Sequence, residues 1–375
     1  MKIIDLRSDT VTLPTPAMRE AVYRAELGDD MFGEDPTTNR LEKMAAEYMG
    51  KEAAMLVVSG TMGNLVCLLT HCRRGEEAII GDKSHVFLYE TGGMSALGGI
   101  HPYPVSNQPD GTMRLEDLEA AIRIDDVHCP RTRLICLENT HNRCNGSALT
   151  PEYTDKVSAL ARSRGLLVHL DGARIFNAAI ALGVDVKELT RNVDSVSFCF
   201  SKGLSAPVGS VVCGSREFIA EARRIRKVLG GGMRQSGIIA APAITALEQM
   251  VDRLAEDHAN ARRLADGIAS IPGLSSNPEM TQTNIVYFNL TGGQLTAEKL
   301  VRQLGKKGIK VLRSGPSRIR TVTHYGISAE DIDLTLAALR DVMEQSNLKV
   351  HNIQKKNALR DKYLPNEHLW LSSEQ

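Results

Sequence analysis

Three things are missing from this chain, and each removes a class of function. The first is surplus charge: 45 Lys and Arg balance 45 Asp and Glu over 375 residues. Nucleic acid and polybasic membrane partners need a large cationic surplus, so neither is expected. The second is a long apolar run. No stretch approaches the about 20 residues that cross a bilayer. The start, Met1-Lys-Ile-Ile-Asp-Leu-Arg-Ser-Asp9, sets charges where a signal peptide needs an apolar core. The third is paired cysteine. None of the seven cysteines forms a Cys-x-x-Cys pair, and Cys136, Cys199 and Cys213 sit in apolar, strand-like runs. Thiols there pack as small core residues, so a reducing, cytoplasmic compartment is expected. His141-Asn-Arg-Cys144 comes closest to a zinc pair, but no second pair accompanies it and no metal is expected. A small-molecule ligand remains.

What is present is alternation. Ala53 to Val58, Ala78 to Ile80, Arg133 to Glu138, Leu166 to Leu170, Ser195 to Phe200 and Gly209 to Cys213 read as short buried strands. Helical stretches separate them: Thr38 to Met49, Arg114 to Ile122, Pro151 to Arg164 and Arg216 to Val228. Continuous apolar runs suit a sheet covered on both faces, which predicts a mostly parallel α/β domain. One long helix is expected from Ile238 to about Ala269, closed by Ile271-Pro-Gly-Leu274. Beyond it, strand, helix, strand, strand, helix predict a second, α+β domain. The expected division is an N-terminal segment 1–13, a large domain 14–250, a small domain 251–347 and a polar tail 348–375. Leu369 and Trp370 are candidates for docking from that tail.

The chemistry is carried by two strand ends. Val168-His-Leu-Asp-Gly-Ala-Arg174 ends an apolar run in a carboxylate and a guanidinium. Ser195-Val-Ser-Phe-Cys-Phe-Ser-Lys-Gly-Leu204 ends another in an amine. The 31 residues from Asp171 to Lys202 suffice for one strand–helix–strand crossover, which sets both at the same edge of a parallel sheet. Pyridoxal phosphate needs this pair: an amine to condense with its aldehyde, and a carboxylate to keep its pyridine nitrogen protonated.

Ser59-Gly-Thr-Met-Gly-Asn64 joins a strand to a helix, and beside Lys202 and Asp171 it becomes a candidate phosphate cradle. Gly230-Gly-Gly-Met-Arg-Gln-Ser-Gly237, with Lys227 before it and Arg234 within it, is either a hinge or a loop offering cations to an anion. His85 stands at a strand edge and His128 in a loop; either is a ring-stacking or base candidate, or only a polar loop residue. Ser8, Arg174 and Arg320 are candidates to hold a substrate carboxylate. Arg318 shares a strand face with Arg320, and pattern alone does not choose between them.

Read together, these segments resemble the fold-type I pyridoxal-phosphate enzymes, and within them the L-threonine aldolases of low or allo specificity. The resemblance rests on Asp5-Leu-Arg-Ser-Asp-Thr-Val-Thr12, Gly28-Asp-Asp-Met-Phe-Gly-Glu-Asp-Pro36, Ser59 to Asn64, Glu138-Asn-Thr-His-Asn142, His169 to Arg174, Ser201 to Leu204, Gly230 to Gln235 and Arg320-Thr-Val-Thr-His324, and runs from Met1 to about Val342. It implies a large domain with a mostly parallel seven-stranded sheet. It also implies that Lys202 binds the cofactor covalently, that Asp171 partners the pyridine nitrogen and that His85 stacks on the ring. Gly60 and Thr61 would hold the phosphate, with Arg234 and Lys227 from a neighbouring subunit. Ser8, Arg174 and Arg320 would clamp the substrate carboxylate. The implied reaction is retro-aldol cleavage of a β-hydroxy-α-amino acid to glycine and an aldehyde, with His85, His128 or a water they hold as base. A homotetramer built as a dimer of dimers is implied too. The rival readings are an aminotransferase, a β-eliminating lyase or a non-catalytic cofactor binder on the same fold.

Overall fold

The computed structural model describes residues 2–293 and 295–363. At its centre is a seven-stranded sheet in the order Ala53–Val57, Ser210–Gly214, Ser195–Cys199, Leu167–Asp171, Thr132–Glu138, Glu77–Gly81, His101–Val105. Ser210–Gly214 is antiparallel to both neighbours, and the remaining pairs are parallel. The exception follows from chain length. Between Cys199 and Ser210 there are too few residues for a helical crossover, so the chain turns back on itself. Glu77–Gly81, Ser195–Cys199 and Ser210–Gly214 are buried at every position, as a sheet with two covered faces requires.

The helices start where side chains can satisfy their first amides. Asp35, Ser59, Thr150 and Ser215 each accept a hydrogen bond from the backbone N–H three residues on, and Pro36 and Pro151 open their helices. The single helix expected from Ile238 is in fact two, Gly237–Gln249 and Leu254–Ala269. Turn residues 250–253 break it, and Glu256 and Asp257 in the next first turn favour a fresh helix start. That break carries the chain from one core to another. Leu247 and Leu254 pack in the core around the large sheet, while Leu264 and Ile268 pack with Phe288, Leu300 and Ile319 in a second core.

The second core lies against an antiparallel sheet in the order Leu312–Arg313, Arg318–Val322, Ile285–Leu290, Leu274–Ser276. The N-terminal segment does not stand apart from it. Strand Ile4–Asp5 pairs with Ile309–Lys310, and Ile4 and Leu6, two residues apart on one face, are buried in the second core. This anchorage holds Ser8 and Asp9 between the two bodies. The final helix is Ala329–Tyr363, and Leu369 and Trp370 lie outside the described residues.

Candidate active site

Parallel strands deliver their C-terminal ends to one edge, and the register brings the ends named above together. Glu138 pairs with Asp171, and Asp171 pairs with Ser197 in the strand that leads to Lys202. Asp171 is buried, and its carboxylate accepts from Asn64 Nδ2 at 2.8 Å and from the Ala173 N–H at 3.1 Å.

Asn64 organises what lies behind it. Its amide nitrogen also donates to Glu90 Oε1 at 2.8 Å, so its oxygen must face the other way. That oxygen accepts from Ser197 Oγ at 2.7 Å and from His169 Nε2 at 3.2 Å. Burial pushes His169 down to about 4 and His71 to about 3, so both rings are neutral near pH 7. With Nε2 donating, His169 Nδ1 must accept from Ser195 Oγ at 2.9 Å. Ser195 Oγ in turn accepts from His71 Nε2 at 2.7 Å. Every donor in the chain thus points toward Asp171.

On the open side, His85 begins helix His85–Leu88, and its backbone N–H donates to Glu138 Oε2 at 2.6 Å. Its Nδ1 donates to Glu90 Oε1 at 2.8 Å, which leaves Nε2 with the free lone pair. Burial would lower the His85 pKa, but the Glu90 hydrogen bond and the charges of Asp171, Glu90 and Glu138 outweigh it and raise it. His85, Glu90 and Asp171 are the one group of potential metal ligands found together among the described residues. Asn64 Nδ2 donates to both carboxylates, so their approach is a hydrogen-bonded network rather than a cation cage.

The rim is cationic. Asp9, fully buried, takes a bidentate grip from Arg174 at 2.6 and 2.7 Å. Burial alone would raise the Asp9 pKa; Arg174, with Lys202 and Arg320 nearby, instead holds it far below the usual carboxylate range. Asp9 takes the Nε hydrogen and one of the two Nη2 hydrogens of Arg174, which leaves the second Nη2 hydrogen and both on Nη1 for another acceptor. Arg320 is different. Its Nε is buried without a partner, and it lines a cleft with His85, Tyr89 and Asn142. Arg318, two residues earlier, lies over the Tyr287 ring at 3.9 Å and donates to Asn145. Ser8 caps the short helix Asp9–Val11 beside this group, accepting from the Thr10 N–H at 3.3 Å.

Helix Gly60–His71 begins at the same sheet edge, capped by Ser59, with Thr61 exposed at its N-terminus. A Cβ on Gly60 would lie 2.8 Å from Cys199 Sγ, so glycine lets the helix start meet the strand that leads to Lys202. An acidic, hydrogen-bonded inner wall and a cationic rim with a helix N-terminus suit a ligand that is a pyridinium at one end and an anion at the other. The residues present fit pyridoxal phosphate.

Three candidates stand apart from this group. Lys227 and Arg234 are exposed; Arg234 turns to Asp29 at 3.4 Å, while Gly231 lies against Met62 in the first turn of the Gly60 helix. His128 is not brought to the site within this chain. It precedes strand Thr132–Glu138, whereas the site lies at that strand's far end, and its 88% exposed side chain pairs with Asp126. Asp9, Asn64, Glu90 and Glu138 were not singled out from the sequence. A carboxylate repeated at strand ends, as in Glu138 and Asp171, was the available signal for one of them.

A family model described as beta-eliminating lyase matches residues 5–291. Low-specificity L-threonine aldolase 1 of Arabidopsis thaliana is 50% identical over 347 residues, spanning 92% of this chain and 97% of that protein. The chain belongs to the low-specificity L-threonine aldolase family. The Escherichia coli K12 low specificity L-threonine aldolase is 46% identical over 330 residues, covering 88% of this chain and 96% of the relative. Among solved structures, the Leishmania major threonine aldolase superposes with a TM-score of 0.77 at 19% identity, covering 91% and 99% of the two chains. That likeness carries the fold, the fold-type I architecture of pyridoxal-phosphate enzymes.

Proposed function

We propose that this chain cleaves L-threonine, L-allo-threonine and related β-hydroxy-α-amino acids to glycine and an aldehyde, with pyridoxal 5'-phosphate as cofactor. The observation that supports it most is one sheet edge carrying Lys202, Asp171, and His85 with its free Nε2, in a chain 50% identical over 347 residues to a low-specificity L-threonine aldolase. When bound, the cofactor supplies an electron sink for the pair released as the Cα–Cβ bond breaks.

The residues do the rest. Lys202 holds the cofactor covalently, and Asp171, oriented by Asn64, keeps its ring nitrogen protonated. Gly60, Thr61 and the helix N-terminus hold the phosphate. The unpartnered Nε of Arg320, with Ser8 and the N–H groups of Arg174 that Asp9 leaves free, fixes the substrate carboxylate and so decides which bond at Cα is aligned for cleavage. His85 Nε2 takes the β-hydroxyl proton, directly or through a water. The Glu90 contact raises the basicity of His85 and holds its tautomer.

Lys227 and Arg234 serve the phosphate of a second copy, in a homotetramer built as a dimer of dimers. Support comes from the apolar side chains left exposed around their loop: Phe32 at 76%, Val228 at 81% and Ile238 at 47%. His128, exposed and paired with Asp126 in its own chain, remains a base candidate that a neighbouring subunit's site would have to receive. A cytoplasmic setting fits seven free cysteines, six of them buried, and the absence of a helix long and apolar enough to cross a membrane among the described residues.

The test is product analysis on purified protein given each threonine diastereomer, with and without a keto-acid amine acceptor. Glycine and acetaldehyde in equal amounts, independent of the acceptor, are expected. Amino transfer to the keto acid, or ammonia in place of glycine, would establish one of the rival activities instead.

A further inference from the structure

Four arginines gather at one cleft with no carboxylate opposite them. Arg143, Arg313 and Arg320 line a cleft of about 370 Å³ with His85, Tyr89 and Tyr287, and no Asp or Glu is among the lining residues. Arg318 stands behind it on the Tyr287 ring. Arg174, Arg226 and Arg253, withdrawn from water elsewhere, each pair with an aspartate. Of the four at the cleft, Arg143 donates to Ser314 Oγ and Arg318 to Asn145, and none has a carboxylate partner among the described residues. Burial, reinforced by Arg174, disfavours the charged form of Arg320; burial, reinforced by Arg143, does the same to Arg318. The cleft is short of anions. A substrate α-carboxylate at Arg320 supplies one, and the methyl group of threonine offers nothing to Arg143 and Arg313.

We propose that the cleft accepts β-hydroxy-α-amino acids bearing a second anionic group beyond Cβ, a carboxylate or a phosphate, held by Arg143 and Arg313. This rests on the aldolase reading of the Lys202 edge. The bond changes are those of the parent reaction. Cα–Cβ breaks, the hydroxyl proton leaves as the β-oxygen becomes a carbonyl, and Cα gains a proton. 3-Hydroxyaspartate thus yields glycine and glyoxylate.

The experiment measures kcat/KM for two pairs that differ in side-chain charge: L-3-hydroxyaspartate against L-3-hydroxyasparagine, and phosphorylated against free 4-hydroxy-L-threonine. L-Threonine is the reference, and each is run with the wild type and with an Arg143→Gln, Arg313→Gln double variant. The wild type should prefer the anionic member of at least one pair by roughly tenfold to hundredfold, and the responding pair identifies carboxylate or phosphate. Added salt should shrink the preference, and the double variant should lose it while cleaving L-threonine as before. No preference in either pair, a preference that survives in the double variant, or a parallel loss of L-threonine cleavage overturns the proposal. Failure of the wild type to cleave L-threonine at all would instead overturn the aldolase reading beneath it.

Discussion

The sheet edge and the Gly230 to Gly237 loop are both fixed, but by opposite means. At the edge it is the side chains that are locked: Asp171, Asn64, Glu90 and His169 are buried and bonded to one another. At the loop it is the backbone. Asp30 N–H donates to the Arg234 carbonyl at 2.9 Å, and Asp35 accepts from the Gly28 and Gly237 amides at 3.1 and 3.0 Å. Arg226, 2% exposed, ties Asp30 at 2.7 Å to the Leu56 carbonyl at 2.8 Å. The cationic side chains carried by this clasp, Lys227 and Arg234, stay exposed. On the reading proposed above, the locked side chains are the half of the site finished within one chain. The exposed cations, with Arg234 only 3.4 Å from Asp29, are the half offered to a second copy.

The largest effect belongs to the edge. Lys202→Ala should abolish covalent trapping of the cofactor by borohydride and nearly all turnover, leaving the clasp untouched. Trapping that persists would mean that another amine does this work. Asp171→Asn should keep the fold and lose most activity, because an amide cannot hold the ring nitrogen's proton; near-normal turnover would remove that role from Asp171.

At the clasp the expected loss is of stability. Asp30→Ala leaves Arg226 buried and unpaired, a situation that costs about 3–5 kcal/mol, readable as a lowered denaturant midpoint. Arg234→Ala should leave that midpoint in place and weaken cofactor affinity by about 1.5–3 kcal/mol. If Arg234→Ala destabilises as much as Asp30→Ala, the division between backbone clasp and free side chain fails.

The smallest effect is a displaced pH profile. Glu90 stabilises the imidazolium of His85 and raises its pKa, and a base works only when unprotonated. Glu90→Gln should therefore lower that pKa and move the rising limb of kcat/KM to lower pH. A limb that stays in place in Glu90→Gln would take His85 out of the role of base.

The difference between the two regions also governs how much the sequence discloses. The placement of Asp171 and Lys202 at one sheet edge was legible because a strand end followed by a crossover has one geometric outcome. The parallel sheet was legible from its apolar runs for the same reason. Asp9 and Asn64 were not, since their roles depend on partners far along the chain, Arg174 and Asp171, that no local pattern indicates. Gly28 to Pro36 was conspicuous as a motif, but its use as a clasp for a loop some 200 residues later exists only in three dimensions. The break at 250–253 escaped because apolar periodicity continues across it.

The decisive measurement mixes two impaired variants, Lys202→Ala and Arg234→Ala, under conditions that exchange subunits, and follows glycine release from L-threonine at a cofactor concentration limiting for Arg234→Ala. If Arg234 serves its neighbour, one site of a mixed pair carries both defects and the other carries neither. The account predicts recovered activity above that of either variant alone. Activity no higher than the unmixed variants, with exchange independently verified, would contradict it and place Lys202 and Arg234 in the site of a single chain.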